Sequence, residues 1–238
     1  MSDEQLREQV RALREGGWDP KAIARALSVR PAQVKPLVRS IAQERHADAG
    51  DPRVVGCWVS PGWSAGLMVD TARRWPDHPG PAADSFGLAA ALVARARPRG
   101  RDGVTVCGYL VDTFCLGVKD ALGPETMSRS ELRRFSSRFF DAFAGDPVDA
   151  PVELARHLVW GAVEYARGLG FEPAGDFAPT VEHLGPLVGP SAIGFGRDGT
   201  PCYMQGPFDD ADRIMRTLRL RAGEDGLDYT VAHRLQAV

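Results

Sequence analysis

An aspartate, a cysteine and a lysine stand at positions 112, 115 and 119 of GYLVDTFCLGVKDA, 108–121, the most loaded segment of the chain beyond its N-terminal part. Asp112 has the chemistry of a general acid or base, Cys115 that of a nucleophile and Lys119 that of a cationic partner. If the segment runs as a strand, alternation puts Leu110, Asp112 and Phe114 on one face and Tyr109, Val111, Thr113 and Cys115 on the other. A carboxylate between two large apolar neighbours must be paired, protonated or functional, because an unpaired buried charge is costly. Lys119 or an arginine is the natural partner.

Two readings stay open for Asp112: a hydrogen-bonded or salt-bridged residue that orders the following Leu116-Gly117-Val118 turn, or a catalytic or ligand-binding acid. His157 falls on the apolar stripe of a helix beside Leu154, Leu158 and Gly161. It is either a hydrogen-bonded core histidine or the base of a Cys115, His157, Asp112 nucleophilic set. The candidate pocket is therefore Asp112, Cys115, Lys119 and His157, with no residue assigned as catalytic.

Other motifs argue against specific chemistries. GFGRDG, 194–199, matches the G-x-G-x-x-G dinucleotide pattern, yet Thr200-Pro201-Cys202-Tyr203 follows where that pattern must open a helix. It reads as a hairpin turn. No phosphate-binding P-loop motif occurs. Cys57, Cys107, Cys115 and Cys202 are widely spaced, without C-x-x-C or H-x-x-x-H, so reduced thiols are expected and neither a metal nor a cofactor is. The acids of Gly206-Pro207-Phe208-Asp209-Asp210 read as a helix cap.

The N-terminal residues carry a different chemistry. Leu6, Val10 and Leu13 mark one short helix, Asp19-Pro20 opens a second through Ile23, Ala24 and Leu27, and after Ser28-Val29-Arg30 a third begins near Pro31 with Val34, Leu37, Val38 and Ile41 inward. A small residue at Ala24, a tight turn at Ser28, and Val34 and Leu37 as seats for the last helix are the packing pattern of a helix-turn-helix. The segment is locally basic, and Arg30, Gln33, Lys35 and Arg39 are the outward residues able to contact DNA. Serine in place of the usual turn glycine, and Pro36 within the third helix, depart from the pattern. A helical module that binds protein is the other reading of this segment.

The elements that position these residues read as follows. Val54–Val59 is a strand, and 88–97 with 104–115 form a hairpin around an arginine-bearing tip. Phe135, Phe139, Phe140 and Phe143 make a helix spanning 130–143 amphipathic, and a longer helix runs over 151–169 to a stop at Gly170. Gly161 inside it indicates close packing. A second hairpin turns at Asp198-Gly199, and a last helix runs to about Leu220. The polar segment 46–53 is a linker, and 75–84 is a proline-rich loop.

The chain therefore divides into a helix-turn-helix-like module at 1–47, an α+β domain at 48–222 built on antiparallel hairpins with packed helices, and a polar tail at 223–238. A length of 238 residues accommodates two cores, and 29 basic against 31 acidic residues leave a net charge of −2, so a polyanion must be met by a local patch. No apolar run is long enough to span a bilayer and the opening is polar, so a cytoplasmic protein without membrane attachment is expected.

The strings GCWVSPGW (56–63), GYLVDTFCLGVKDA, LARHLVWGAVEYARGLGFEP and FGRDGTPCYMQGPFDDADRI together cover most of residues 54–218. On them the larger domain resembles a family of uncharacterised bacterial proteins that often carry an N-terminal helix-turn-helix region. The resemblance implies a shared fold and brings no reaction or catalytic residues. The functional expectation is a regulator binding duplex DNA through its N-terminal module. The alternatives are an enzyme or small-ligand sensor using the Asp112 pocket, and a scaffold for a protein partner, which an exposed patch near Trp58, Trp63 and Trp75 would favour.

Overall fold

Leu6, Val10 and Leu13 recur at three- and four-residue steps, and the helix they predict is α1 (Asp3–Glu15). A second helix, α2 (Pro20–Ala26), opens on proline, whose fixed φ suits a first turn. Helical backbone resumes at Pro31, Gln33, Val34 and 36–38, so Pro36 does not end that stretch. Leu6, Val10, Ile23, Ala24 and Val34 are buried together, with Leu13, Leu27, Val29, Leu37 and Val38 around them. The computed structural model describes residues 3–15, 20–31, 33–34, 36–38, 54–76, 86–97, 103–207, 209–222 and 228–230. The chain forms two compact units, Met1–Pro52 and Arg53–Val238. The expected boundary near residue 47, most of the proline-rich loop and most of the arginine-bearing tip lie outside the described residues.

The larger unit is built on β1 (Val54–Val59), β3 (Leu88–Ala96), β4 (Val104–Asp112), β5 (Gly117–Met127) and the two-residue β6 (Val148–Asp149). They form one antiparallel sheet in the order β5-β4-β3-β1-β6. The hairpin between β3 and β4 pairs Leu88 with Asp112 and Ala96 with Val104. On one face, Cys57, Val93, Tyr109 and Val111 pack against Leu154, Leu158 and Ala162 of α4 (Val152–Gly168). On the other, Ala90, Leu92, Val104 and Val106 pack against Leu132 of α3 (Arg129–Phe139) and the neighbouring Phe140. The architecture is α+β, a sheet with helices on both faces. Because each fully buried leucine contributes about 1.5–3 kcal/mol, these two apolar layers dominate the stability of the unit.

Local chemistry sets the helix ends. Ser128 accepts a hydrogen bond from the Glu131 N–H while the Glu131 carboxylate accepts one from the Ser128 N–H, a reciprocal cap that fixes the start of α3. Gly170, at φ 92°, follows the end of α4 where the sequence places the stop. Gly161 leaves room for a neighbour: a Cβ there would lie 2.5 Å from both Phe195 Cε2 and Ser191 Oγ.

Several expectations change. Strand β4 ends at Asp112, so Phe114 and Cys115 lie in the turn to β5 instead of continuing the alternation. β5 itself was not expected. The turn at Asp198-Gly199 forms, with Thr200 N–H donating to Arg197 O and both central residues at positive φ, but its arms do not make a hairpin. β7 (Ile193–Gly194) pairs with β2 (Met68–Val69), and β8 (Cys202–Met204) pairs in parallel with β9 (Asp228–Thr230), because Pro201 interrupts the ladder beyond one bridge. Residues 228–230, expected in a featureless tail, are thus a strand. A single-turn helix, α5 (Val181–Leu184), precedes β7, and the last helix is α6 (Ala211–Ala222). Among the described residues no helix is long and apolar enough to cross a membrane.

Candidate functional site

Asp112 is 3% exposed and closes the β4–β5 connection. Its Oδ1 accepts hydrogen bonds from the N–H groups of Phe114 at 3.0 Å and Cys115 at 2.9 Å. Aspartate is suited to this, because its short side chain reaches its own backbone two and three residues on. Burial pushes the carboxyl up to about 6, against the pull of Lys119 and of the N–H groups of Cys115, Leu116 and Phe114. This is the turn-ordering arrangement of the two that the sequence left open.

Lys119, named with arginine as a natural partner for Asp112, acts on it only at a distance and is bonded elsewhere. In the β4–β5 ladder Leu110 faces Asp120 while Val111 faces Val118, which leaves Lys119 as the extra residue of a bulge. A bulge re-aims its side chain. The Lys119 ammonium accordingly reaches Asp209, at 2.8 Å from Oδ1 and 2.9 Å from Oδ2. Asp209 also accepts from the Gly206 N–H at 2.8 Å and from the Tyr203 hydroxyl at 3.3 Å. Burial raises the Asp209 carboxyl, but the hydrogen bonds from Lys119 and Gly206 outweigh it and leave the group below the usual carboxylate range. Capping of α6 falls to the neighbour, Asp210, which accepts from the Arg213 N–H.

Cys115 is fully buried beside Leu169, Tyr203 and Leu218. Burial and the nearby Asp112 carboxylate push its thiol up, so it is protonated at neutral pH and is a poor nucleophile. The Cys202 N–H donates to Phe114 O and the Gly196 N–H to Thr113 O, so segment 196–202 is stitched onto the turn that Asp112 orders. Over the same place sits the Tyr165 hydroxyl, buried and without a hydrogen-bond partner among the described residues. Burial raises it, and Cys115, Asp112 and Cys202 act on it in the same direction.

His157 is not part of this constellation. It lies eight residues before Tyr165 on α4, about 12 Å along the axis. Its Nδ1 accepts from the Ala192 N–H at 2.9 Å, its ring meets Trp75 at 5.1 Å, and its Nε2 lies 3.8 Å from Glu153 Oε1. Glu153 is paired with Arg73, whose guanidinium stands over the Trp75 ring. Trp63 packs edge-on to Trp75 and donates its indole N–H to Pro76 O. The Cys115, His157, Asp112 set therefore lacks its base. Trp63 is buried and Trp58 and Trp75 are half-buried, so the tryptophans do not form the exposed patch that a scaffold would use.

Sequence reasoning missed the bulge, the Lys119–Asp209 pair and the Trp75–His157 cluster. The pair of acids at 209 and 210 was the available signal, since one helix needs one cap. Among the described residues no group of three or more His, Cys, Asp or Glu side chains is arranged to hold a metal ion. A cavity of about 550 Å3 opens elsewhere, at the start of α3, beside Gly103, Thr126 and Ser128.

In the N-terminal unit, α2 ends with the Ser28 N–H donating to Arg25 O and the Val29 N–H to Ala24 O, and Ser28 takes φ 55°. This left-handed closure turns the chain within a few residues. Arg30 is exposed at the start of the next helix, and the Arg30 N–H donates to Gln33 Oε1 at 3.2 Å, so the Gln33 side-chain carbonyl serves as a cap. Lys35 and Arg39 lie outside the described side chains. Compared with known proteins, the chain matches no family model, no curated protein and no solved structure.

Proposed function

We propose that the protein is a cytoplasmic regulator that binds duplex DNA through a helix-turn-helix at its N-terminus. The observation that carries this is the turn at Ser28: a left-handed residue between two helical stretches, with Ala24 and Val34 buried together and Arg30 exposed at the second helix start. An exposed helix start of this kind supports the reading, because insertion into a major groove requires the first residues of a reading helix to face solvent. Arg30, Lys35 and Arg39 supply phosphate or guanine contacts and Gln33 an amide donor. In the larger unit Asp112, Cys115 and Lys119 are engaged in holding the fold, which gives the enzyme reading less support. Binding of a mixed-sequence duplex at low salt by the full chain, weakened in Arg30→Ala with Lys35→Ala, is the expected result, and a chain indifferent to duplex DNA at low salt contradicts the proposal.

A further inference from the structure

Helix α3 carries Arg129, Arg133, Arg134 and Arg138, all exposed. At 3.6 residues per turn they fall into two rows, Arg129 with Arg133 and Arg134 with Arg138, about 140° apart around the axis. Within each row the residues are about 6 Å apart along the axis. Ser130 and Ser137, also exposed, lie between the rows, and Leu132 and Ser136 form the buried side. The solvent arc of the helix is thus a cationic strip with hydroxyls along its middle.

An ordinary solvated helix face mixes signs and gains from opposite charges at i and i+4. Here both i,i+4 pairs of charged residues on the helix are arginine with arginine, which repel each other. Arg129 and Arg133, in the first half of the helix, add a further opposition to the helix dipole. Glu131 is the sole acid of the helix; its carboxylate accepts from the Ser128 N–H and also attracts Arg134, without forming an ion pair with it. None of the four arginines forms an ion pair with a carboxylate among the described residues. In a chain of net charge −2, four arginines on one short helix are a local concentration of positive charge.

We infer that the outward face of α3 is a docking strip for the phosphodiester backbone of duplex DNA, a second contact in addition to the N-terminal helix. Regular rows of guanidinium groups suit a polyanion with regularly spaced charges, because each arginine can take a phosphate in bidentate fashion and serine hydroxyls can donate beside them. The strip reads no sequence; it adds affinity and salt dependence. The choice of duplex DNA as the polyanion rests on the function proposed above.

The test uses the full chain with a labelled mixed-sequence duplex over a range of salt. A variant with Arg129, Arg133, Arg134 and Arg138 all changed to Gln is compared with one in which all four become Lys, and circular dichroism checks that both fold. With all four arginines on phosphates, the slope of log affinity against log salt falls by about 3 to 4 in the glutamine variant and is kept in the lysine variant. An unchanged slope in the glutamine variant overturns the inference; if Arg30→Ala with Lys35→Ala still weakens binding there, the N-terminal reading survives alone. Loss in the glutamine variant without loss in the N-terminal one leaves the strip standing and removes the helix-turn-helix contact. A wild-type chain that binds no duplex at low salt overturns both.

Discussion

Lys119 and Asp209 lie 90 residues apart in sequence and meet as a two-oxygen ion pair, 2.8 and 2.9 Å long, across the edge of the sheet. The pair ties a bulge in β5 to the loop that leads into α6. Asp209→Ala removes the acceptor of Lys119, Gly206 and Tyr203 together, and should cost about 1–3 kcal/mol of unfolding free energy in denaturant titrations. Because the folded carboxyl lies below its unfolded value, its stabilisation is present above the unfolded carboxylate pKa and is lost as pH falls through the lowered folded value. The acid side of the stability profile should therefore flatten in Asp209→Asn.

Asp112 separates charge from hydrogen bonding. Asp112→Asn keeps an acceptor oxygen for the N–H groups of Phe114 and Cys115 and removes a buried charge, so stability at pH 7 should hold within about 1 kcal/mol. Asp112→Ala strands both donors and should cost at least about 2–3 kcal/mol. Equal losses in the two variants would show that the charge, and not the acceptor, matters. The folded carboxyl is raised to about 6, so protonation favours the fold as pH drops from above 6 toward the unfolded value, and Asp112→Asn should abolish that gain.

His157 gives the opposite slope. Burial, with Arg73 nearby, holds its imidazole below the usual histidine value, against the pull of Glu153. A proton on Nδ1 would also face the Ala192 N–H, donor against donor. The unfolded chain takes up that proton first, so stability should fall as pH drops below about 6.5, and melting measured between pH 7.5 and 5 should show a smaller fall in His157→Asn.

Ser28 holds φ 55° without being glycine. Ser28→Gly removes the strain of a left-handed L-residue and should stabilise the N-terminal unit by up to about 1 kcal/mol, whereas Ser28→Val should destabilise it by more than that. Thermal unfolding followed in the full chain through the α1 and α2 amides separates this from the larger unit.

Periodicity made the sheet hairpin and the long helix legible, because Leu88–Ala96 and Val104–Asp112 are apolar on both faces and Leu154, Leu158 and Ala162 repeat on one. β5 was hidden by Gly117, Gly123 and Pro124: the ladder takes Gly117 in register opposite Asp112 and passes Gly123-Pro124 as an irregularity. The partners of Lys119 and His157 were hidden for another reason. Asp209 and Trp75 are brought to them by a bulge and by loop packing, and no local pattern encodes a contact spanning 80 or 90 residues. Asp112 was legible as a buried carboxylate, and its hydrogen bonds to the next turn were one of its two open readings.

The most direct measurement is the salt dependence of duplex DNA binding by the full chain, wild type against Arg30→Ala with Lys35→Ala. The expected result is a linear fall of log affinity with log salt whose slope shrinks by about 2 in the double variant, roughly one unit for each phosphate that is no longer neutralised. A slope identical in both proteins, or no binding at about 50 mM salt, contradicts a DNA-reading N-terminus.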